Sequence, residues 1–226
     1  MAEGHKLVGD LLGHFPCKLL IATSNWLKMN HSATANEIIE VTQEELSRAS
    51  LQKTPQEVLA VFVQPSYDLN PEVIKSSLCL ALDDVQDPGN LGTIIRLADW
   101  FGIEHIFCST GTADVYNPKT VQATMGALAR VKVHYCSLPQ LIESLTDIPV
   151  YGTFLNGNII YTESLSAHGL IVMGNEGKGV SLEVEKLINN KLYIPNYPQE
   201  RETSESLNVA IATAVVCSEF RRRLLP

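Results

Sequence analysis

The sequence predicts an α/β protein in two parts: a small α/β module over residues 1–70, a linker at 71–77, and a mainly parallel sheet covered by helices on both faces over residues 78–226. Three observations lead there. After residue 77 the apolar runs Leu78–Leu82, His105–Cys108, Val131–Tyr135, Val150–Thr153, Leu170–Met173 and Lys191–Ile194 alternate with helical stretches, as strands of a parallel sheet do. The turn formers Pro65-Ser66-Tyr67-Asp68-Leu69-Asn70-Pro71 break the apolar pattern and mark a boundary. A chain of 226 residues that is 45% hydrophobic and 19% charged buries a core without help from disulfides or metals.

In the first module, Leu19–Ala22 and Val58–Val63 read as short buried strands. Between them Thr42 and Glu45 have capping-box spacing, which starts a helix ending near Ser50. In the second part the last helix is expected over about Ser206–Arg222, with the small residues Ala210, Ala212 and Ala214 beside Val209, Val215 and Val216. Its terminal Arg221-Arg222-Arg223 suits the negative end of a helix dipole, with a phosphate contact as the alternative. Cys17, Cys79, Cys108, Cys136 and Cys217 are scattered without a CxxC pair, so they read as core thiols rather than a disulfide framework or zinc site. No apolar run approaches the roughly 18 residues of a membrane helix, and the first residues lack a signal-peptide pattern, so no membrane association and a cytoplasmic location are expected. Seventeen Lys and Arg against 25 Asp and Glu give a net charge of -8, which argues against wholesale attraction to a polyanion.

Three loops that follow strands hold the chemistry. The first, Asp87-Pro88-Gly89-Asn90-Leu91-Gly92, precedes a helix carrying Arg96. Asn90 at the helix N-cap and Arg96 reaching back from the second turn would bring an amide, free backbone N–H groups and a guanidinium to one positive helix end, a fit for a ribose and its phosphate; an ordinary turn with an N-cap Asn and a surface arginine is the alternative. Asp83, Asp84 and Asp87 lack a His or Cys at ligand spacing, so no metal is assigned. The second, Gly174-Asn175-Glu176-Gly177-Lys178-Gly179-Val180-Ser181, permits close backbone approach to a ligand, and Ser181 is placed to cap the next helix. It is neither a Walker A loop nor a GxGxxG fingerprint, because Lys178 is followed by Gly179 and the glycines run GxxGxG. The third runs from Ile194-Pro195-Asn196 to Glu205-Ser206-Leu207-Asn208-Val209, where Ser206 and Asn208 either face a ligand or cap the last helix.

Together and in this order the loops resemble the three motifs of the SpoU/TrmH-type RNA 2'-O-ribose methyltransferases of the SPOUT superfamily. The first motif continues through Asn117-Pro118-Lys119 and Ala123-Thr124-Met125-Gly126-Ala127, and the resemblance covers about residues 78 to 223. Glu3-Gly4-His5-Lys6-Leu7-Val8 and Thr54-Pro55-Gln56-Glu57-Val58-Leu59-Ala60-Val61 are similar to the family's substrate-binding domain, a fold like that of ribosomal protein L30e. The resemblance implies a deep trefoil knot, a homodimer, and S-adenosylmethionine bound in the knotted loops. It places cofactor contacts on Thr153, Gly174, Asn175, Ile194 and Leu207, and catalytic or substrate-orienting roles on Asn90, Arg96, Glu176, Ser206 and Asn208. The substrate it implies is RNA, with the N-terminal module favouring rRNA over tRNA. A non-catalytic RNA-binding or ribosome-assembly factor that keeps the fold is the alternative.

Several positions depart from the family pattern. Gln122 stands where relatives often have Arg, Thr124 where Ser is common, and residues 196–203 form a longer, more acidic stretch. The chain opens within a Glu-Gly motif that is internal in relatives, so a trimmed or truncated first domain is expected. Arg96 is a base by family analogy, yet lowering a guanidinium from its ordinary, strongly basic range to neutrality costs about 8 kcal/mol. A charged clamp on a phosphate costs less, and both roles stay open. Arg96, Lys119, Arg130 and Lys178 lie near the loops that would face RNA, so recognition by shape and few phosphate contacts is expected.

Overall fold

The computed structural model describes residues 1–198, 201, 204 and 206–224. The N-terminal sheet contains β1 (Ala2–Glu3), β2 (Cys17–Thr23), β3 (Glu37–Val41) and β4 (Val58–Phe62) in the order β1-β4-β2-β3. β4 runs antiparallel to β1 and β2, whereas β3 is parallel to β2. The two expected strands are β2 and β4. β1 is too short for a periodic signal, and Glu37-Ile38-Ile39-Glu40-Val41 is an edge strand with little burial to reveal it. Helices α1 (His5–Leu12), α2 (Ser24–Met29) and α3 (Gln43–Ala49) complete the module. The Thr42–Glu45 capping box is formed, and Ser50 ends α3 as expected. The Glu-Gly motif has a structural role here: the buried Glu3 carboxylate accepts from Ser50 Oγ and from Leu51 N–H at 3.0 Å. Gly4 enters α1 at φ 99°, where a Cβ would meet Gln56 Oε1 at 2.6 Å.

Residues 73–76, within the expected linker, form the helical turn α4 (Val73–Ser76), whose Ile74 is fully buried. The second sheet is parallel throughout, in the order β10-β8-β9-β5-β6-β7. Its strands are β5 (Leu78–Leu82), β6 (His105–Cys108), β7 (Lys132–Tyr135), β8 (Val150–Ile159), β9 (Gly169–Met173) and β10 (Asn190–Tyr193). Burial on both faces explains why these strands read as apolar runs rather than alternating ones. Leu80, Leu82 and Ile171 point to one core with Leu91, Ile94 and Ile95 of α5 (Pro88–Trp100) and Val216 and Phe220 of α9 (Val209–Arg222). Cys79, Ala81 and Val172 point to the other, with Ile74, Leu138 and Leu141 of α7 (Leu138–Glu143) and Val184 of α8 (Leu182–Glu185).

The first core does not stop at the module boundary. Leu7, Leu20, Trp26 and Ala60 belong to the same apolar cluster as Val115, Val121 and Leu128, so the two sheets share one core. α5 also packs closely on α6 (Pro118–Thr124), because Gly92 has no Cβ; one there would lie 2.5 Å from Ala123 Cβ and 2.6 Å from the Thr120 carbonyl.

Two expectations for the last helix are corrected. α9 begins at Val209 rather than near Ser206, because Asn208 is the N-cap and its Oδ1 accepts from the N–H groups of Ala210 (3.0 Å) and Ile211 (3.3 Å). The arginine triplet serves other elements more than the end of its own helix. Arg221 donates to the carbonyls of Phe101 (2.7 Å) and Gly102 (2.9 Å) at the C-terminal end of α5, and Arg223 donates to Tyr161 O at 2.7 Å. Arg222 and Arg223 both pair with Glu219. All five cysteines are free, four of them buried and Cys136 half-buried. Burial pushes the Cys79 thiol up to about 11 and Cys217 to about 12, which suits inert core residues.

Candidate active site and cofactor cleft

The first loop is set by Asp87 and Pro88. Asp87 is the N-cap of α5, its Oδ1 accepting from Asn90 N–H at 2.8 Å, and Pro88 occupies the first helical position. Asn90 is therefore inside the helix and is not the cap expected from the sequence. That bond and Lys119, whose Nζ lies 3.2 Å from Asp87 Oδ2, hold the Asp87 carboxyl below the usual carboxylate range. With capping done by Asp87, the Asn90 side chain is released for other contacts. Its Nδ2 donates to Glu176 Oε1 at 2.9 Å, and its Oδ1 accepts from Asn208 Nδ2 at 3.0 Å.

This chain of bonds has one direction. The helix N–H groups of Ala210 and Ile211 can only donate, so Asn208 must turn its oxygen to them and its nitrogen to Asn90. Asn90 must then accept from Asn208 and donate to Glu176, which has to be the acceptor at the end of the chain. One residue from each of the three loops is thereby joined.

Glu176 also lines a cleft of about 480 Å³, within the range of small-molecule sites. The loop after β9 forms one wall. Asn175 and Gly179 close it with two backbone bonds of 2.9 Å, and Gly174 lies so close that a Cβ would sit 2.3 Å from the Gly179 carbonyl carbon. Asn175 Oδ1 accepts from the N–H groups of Gly177 (2.9 Å) and Lys178 (3.0 Å), and its Nδ2 donates to Asp84 O at 2.8 Å. Its side chain is thus spent on shaping the loop. A second wall comes from β8, longer than the expected Val150–Thr153. Gly152 pairs with Lys191 but Asn158 with Leu192, so residues 153–157 leave the ladder and bring Thr153, Phe154 and Leu155 to the cleft. Gly157 permits the return, since a Cβ there would meet the Leu192 carbonyl carbon at 2.5 Å. Ile194, Ser206, Leu207 and Val209 form the third wall.

The structure brings together Asn90, Glu176 and Asn208, and gathers Thr153, Gly174, Asn175, Ile194, Ser206 and Leu207 around the cleft. Arg96 is exposed on α5, about 9 Å along the axis from Asn90, and has no hydrogen-bond or ion-pair partner among the described residues. Lys119 is engaged by Asp87, and Arg130 binds Asp99 with two bonds of 2.8 and 2.7 Å, so neither is a free cation. Lys178 is exposed. Thr124 is buried and its hydroxyl donates to Val121 O, so the hydroxyl kept at that position serves its own helix. Ser181 is the N-cap of α8 but makes no side-chain cap; its N–H goes to Asp83 instead. Of the acidic stretch, Gln199, Glu200, Glu202 and Thr203 lie outside the described residues, as does Glu205. Among the described residues no three His, Cys, Asp or Glu side chains are placed to hold a metal ion, and no helix is long and apolar enough to cross a membrane. Sequence reasoning missed Phe154, which the irregular β8 register brings to the cleft, and the Lys191 ammonium beside it, 4.7 Å from the Phe154 ring centroid and paired with Glu185 at 2.5 Å.

Comparison with known proteins decides the family. Residues 77–218 match the SpoU rRNA methylase family, and residues 1–60 match the MRM3-like substrate binding domain. The chain belongs to the SpoU rRNA methylase family. It is 34% identical to the 23S rRNA guanosine 2'-O-methyltransferase RlmP of Bacillus subtilis over 184 residues, 80% of this chain and 71% of that relative. A TrmH-family structure from Porphyromonas gingivalis superposes with a TM-score of 0.86 at 43% identity, covering 98% of this chain and 89% of that one. The SpoU methyltransferase AviRb of Streptomyces viridochromogenes, solved with the cofactor AdoMet, superposes with a TM-score of 0.84 at 26% identity, covering 99% and 89% of the two chains. The three loops joined by Asn90, Glu176 and Asn208 all lie within the segment matched to the SpoU family.

Proposed function

We propose that this chain is an S-adenosylmethionine-dependent methyltransferase acting on a ribose 2'-hydroxyl of ribosomal RNA, in the cytoplasm and as a homodimer. The observation that carries the reading is the directed chain Asn208–Asn90–Glu176, which ends in the wall of the cleft. RlmP's activity on 23S rRNA and the cofactor held by AviRb support the same substrate and cofactor. The cleft suits the cofactor chemically: Met173, Val180, Ile194, Leu207 and Val209 offer apolar surface for a purine, and the loop backbone at Gly177 and Gly179 has open space beside it for close approach. When bound, S-adenosylmethionine supplies an electrophilic methyl group on a sulfonium.

The chain's own residues would do the rest. Asn90 and Glu176 orient the ribose hydroxyl for in-line attack. Arg96, exposed and unpaired among the described residues, grips the phosphate and stabilises charge developing on the oxygen. Ser206 and Asn208 hold the rim where the cofactor and ribose meet. The N-terminal module docks structured RNA. Because Lys119 and Arg130 are already paired, few phosphates are gripped, and binding should weaken only shallowly with salt. Trp100 (83% exposed), Ile211 (56% exposed) and the groove between Phe101, Tyr161 and Val215 give the outer faces of α5 and α9 an unpartnered apolar surface that supports the dimer. The contacts of the Gly174–Val180 loop and of the α9 cap with the first loop support the knot implied by the family resemblance.

The test is transfer of a labelled methyl group from S-adenosylmethionine to rRNA, followed by mapping of the modified nucleotide. Label on a ribose O2' is expected. Label on a base, or RNA binding with no transfer, would sink the assignment. Leu207→Arg, which puts a charge into the apolar wall, should abolish cofactor binding by calorimetry; unchanged affinity would move the purine site elsewhere.

A further inference from the structure

Two acidic residues after β5 take no part in the chemistry proposed above, yet they touch both ends of the loop that lines the cleft. Asp83 is 6% exposed. Its N–H donates to Met173 O at 2.8 Å, carrying the β5–β9 ladder one residue past the strand end, and its Oδ2 accepts from Ser181 N–H at 2.7 Å. Asp84 adopts φ 61°. Its N–H donates to Ser109 Oγ at 2.9 Å, and its carbonyl accepts from Asn175 Nδ2 at 2.8 Å. A left-handed residue is costly except for types such as Asp and Asn that tolerate it, so the turn itself is a selected shape. Its result is that consecutive residues of the first loop hold the entrance (Asn175) and the exit (Ser181) of the second.

We infer that Asp83 is a positioning residue for the cofactor cleft: its carboxylate tethers the loop 174–180 in the shape that receives the cofactor. The inference rests on the reading of the cleft as an S-adenosylmethionine site. The tether is one short hydrogen bond from the exposed Ser181 to a carboxylate that is itself buried, where an acceptor left unmatched carries a desolvation penalty. Without it only the loop's own two closing bonds and the Asn175 contacts hold it, so the whole loop should open more often while the sheet beneath stays intact.

The experiment compares Asp83→Ala, Asp83→Asn and Ser181→Pro in the full chain. Asp83→Ala should raise the Kd and KM for S-adenosylmethionine about tenfold, with kcat at saturating cofactor kept within about threefold. Without any ligand, the amides of Asn175, Gly179 and Ser181 should exchange about tenfold faster than in the wild type while those of Leu80 and Leu82 are unchanged. Asp83→Asn presents an amide oxygen to the same N–H and should restore both readouts to within about threefold. Ser181→Pro deletes the donor at a residue whose φ of -63° already suits proline, so it should reproduce the Asp83→Ala loss and serves if the alanine variant does not fold. Unchanged loop exchange in Asp83→Ala, or an Asp83→Asn variant as damaged as the alanine one, overturns the tether. If the wild type binds no S-adenosylmethionine, the proposed function fails, and the exchange data still judge the tether.

Discussion

The two sheets of this chain are both built from short apolar strands with helices alongside, and they end in different kinds of loop. In the N-terminal sheet β4 runs against its neighbours, so loops leave both ends, and its polar cluster closes on itself: Glu57 accepts from Thr23 (3.3 Å) and Asn25 (2.9 Å) and pairs with His5 at 3.5 Å. In the second sheet every strand is parallel, so the loops after β5, β9 and β10, with the β8 excursion, collect on one side and leave side chains of Asn90, Glu176 and Asn208 to act on one another. Parallel order concentrates loop ends, and convergent chemistry follows from that.

The sharpest way to break this contrast is a pair of substitutions. Arg96→Ala should lower methyl transfer about 1,000-fold, roughly 4 kcal/mol of transition-state stabilisation, while S-adenosylmethionine binding by calorimetry is retained. Glu57→Ala, in the N-terminal cluster, should change kcat by less than about threefold whatever it does to RNA affinity. Full turnover by Arg96→Ala removes that residue from the chemistry. An equal loss of kcat in both variants would erase the division between the sheets.

The next effect concerns stability at the far edge of the parallel sheet. His134 is 6% exposed and stacks on His105 with ring centroids 5.4 Å apart, beside Phe107 at 5.2 Å and Tyr67 at 6.0 Å. Burial first, then His105 and Lys132, push its pKa down to about 4 from an ordinary value of 6.5. The unfolded chain therefore takes up a proton between about pH 6.5 and 4 that the folded chain refuses, and stability present above pH 6.5 is lost as pH falls through that window. The loss is on the order of 3 kcal/mol. Denaturant melts of the wild type and His134→Phe across this range should show the variant with a shallower decline; parallel curves would mean that His134 does not carry the acid sensitivity.

What the sequence alone reveals follows the same division of physical causes. Strands β5, β6 and β9 were legible because two covered faces demand continuous apolar runs, whereas β3 was not, because an edge strand that is almost wholly exposed leaves no burial pattern. The excursion of β8 was invisible because it is a jump in pairing register, residues 153–157 passing between the partners of the adjacent Lys191 and Leu192, and register leaves no local pattern. At the site, Asp87-Pro88 held the signal that would have placed the cap correctly, a preferred capping residue followed by proline at the first helical position, but Asn90 two residues later competed with it. The contacts of Asn90 with Glu176 and Asn208 span 86 and 118 residues, and no local spacing encodes them. Family resemblance selected those residues; the geometry supplies what they do to each other.

That geometry makes a specific demand on Asn208, and the smallest effect tests it most closely. Asn208→Asp keeps an oxygen for the N–H groups of Ala210 and Ile211, so α9 stays capped and, at the positive end of the helix, is even favoured. The second carboxylate oxygen then faces Asn90 Oδ1, acceptor against acceptor. Asn90 can relieve the clash only by turning its amide over, which sets its oxygen against Glu176 Oε1 and moves the clash one link along the chain. Fold and melting temperature should be preserved while kcat falls about 10- to 30-fold, roughly 2 kcal/mol for one mismatched bond in a partly buried chain. Adding Glu176→Gln should restore part of the loss, because a glutamine Nε2 can donate to the turned-over Asn90 oxygen. A double variant no better than Asn208→Asp, with the fold intact, would show that the direction of the chain is not what the reaction uses.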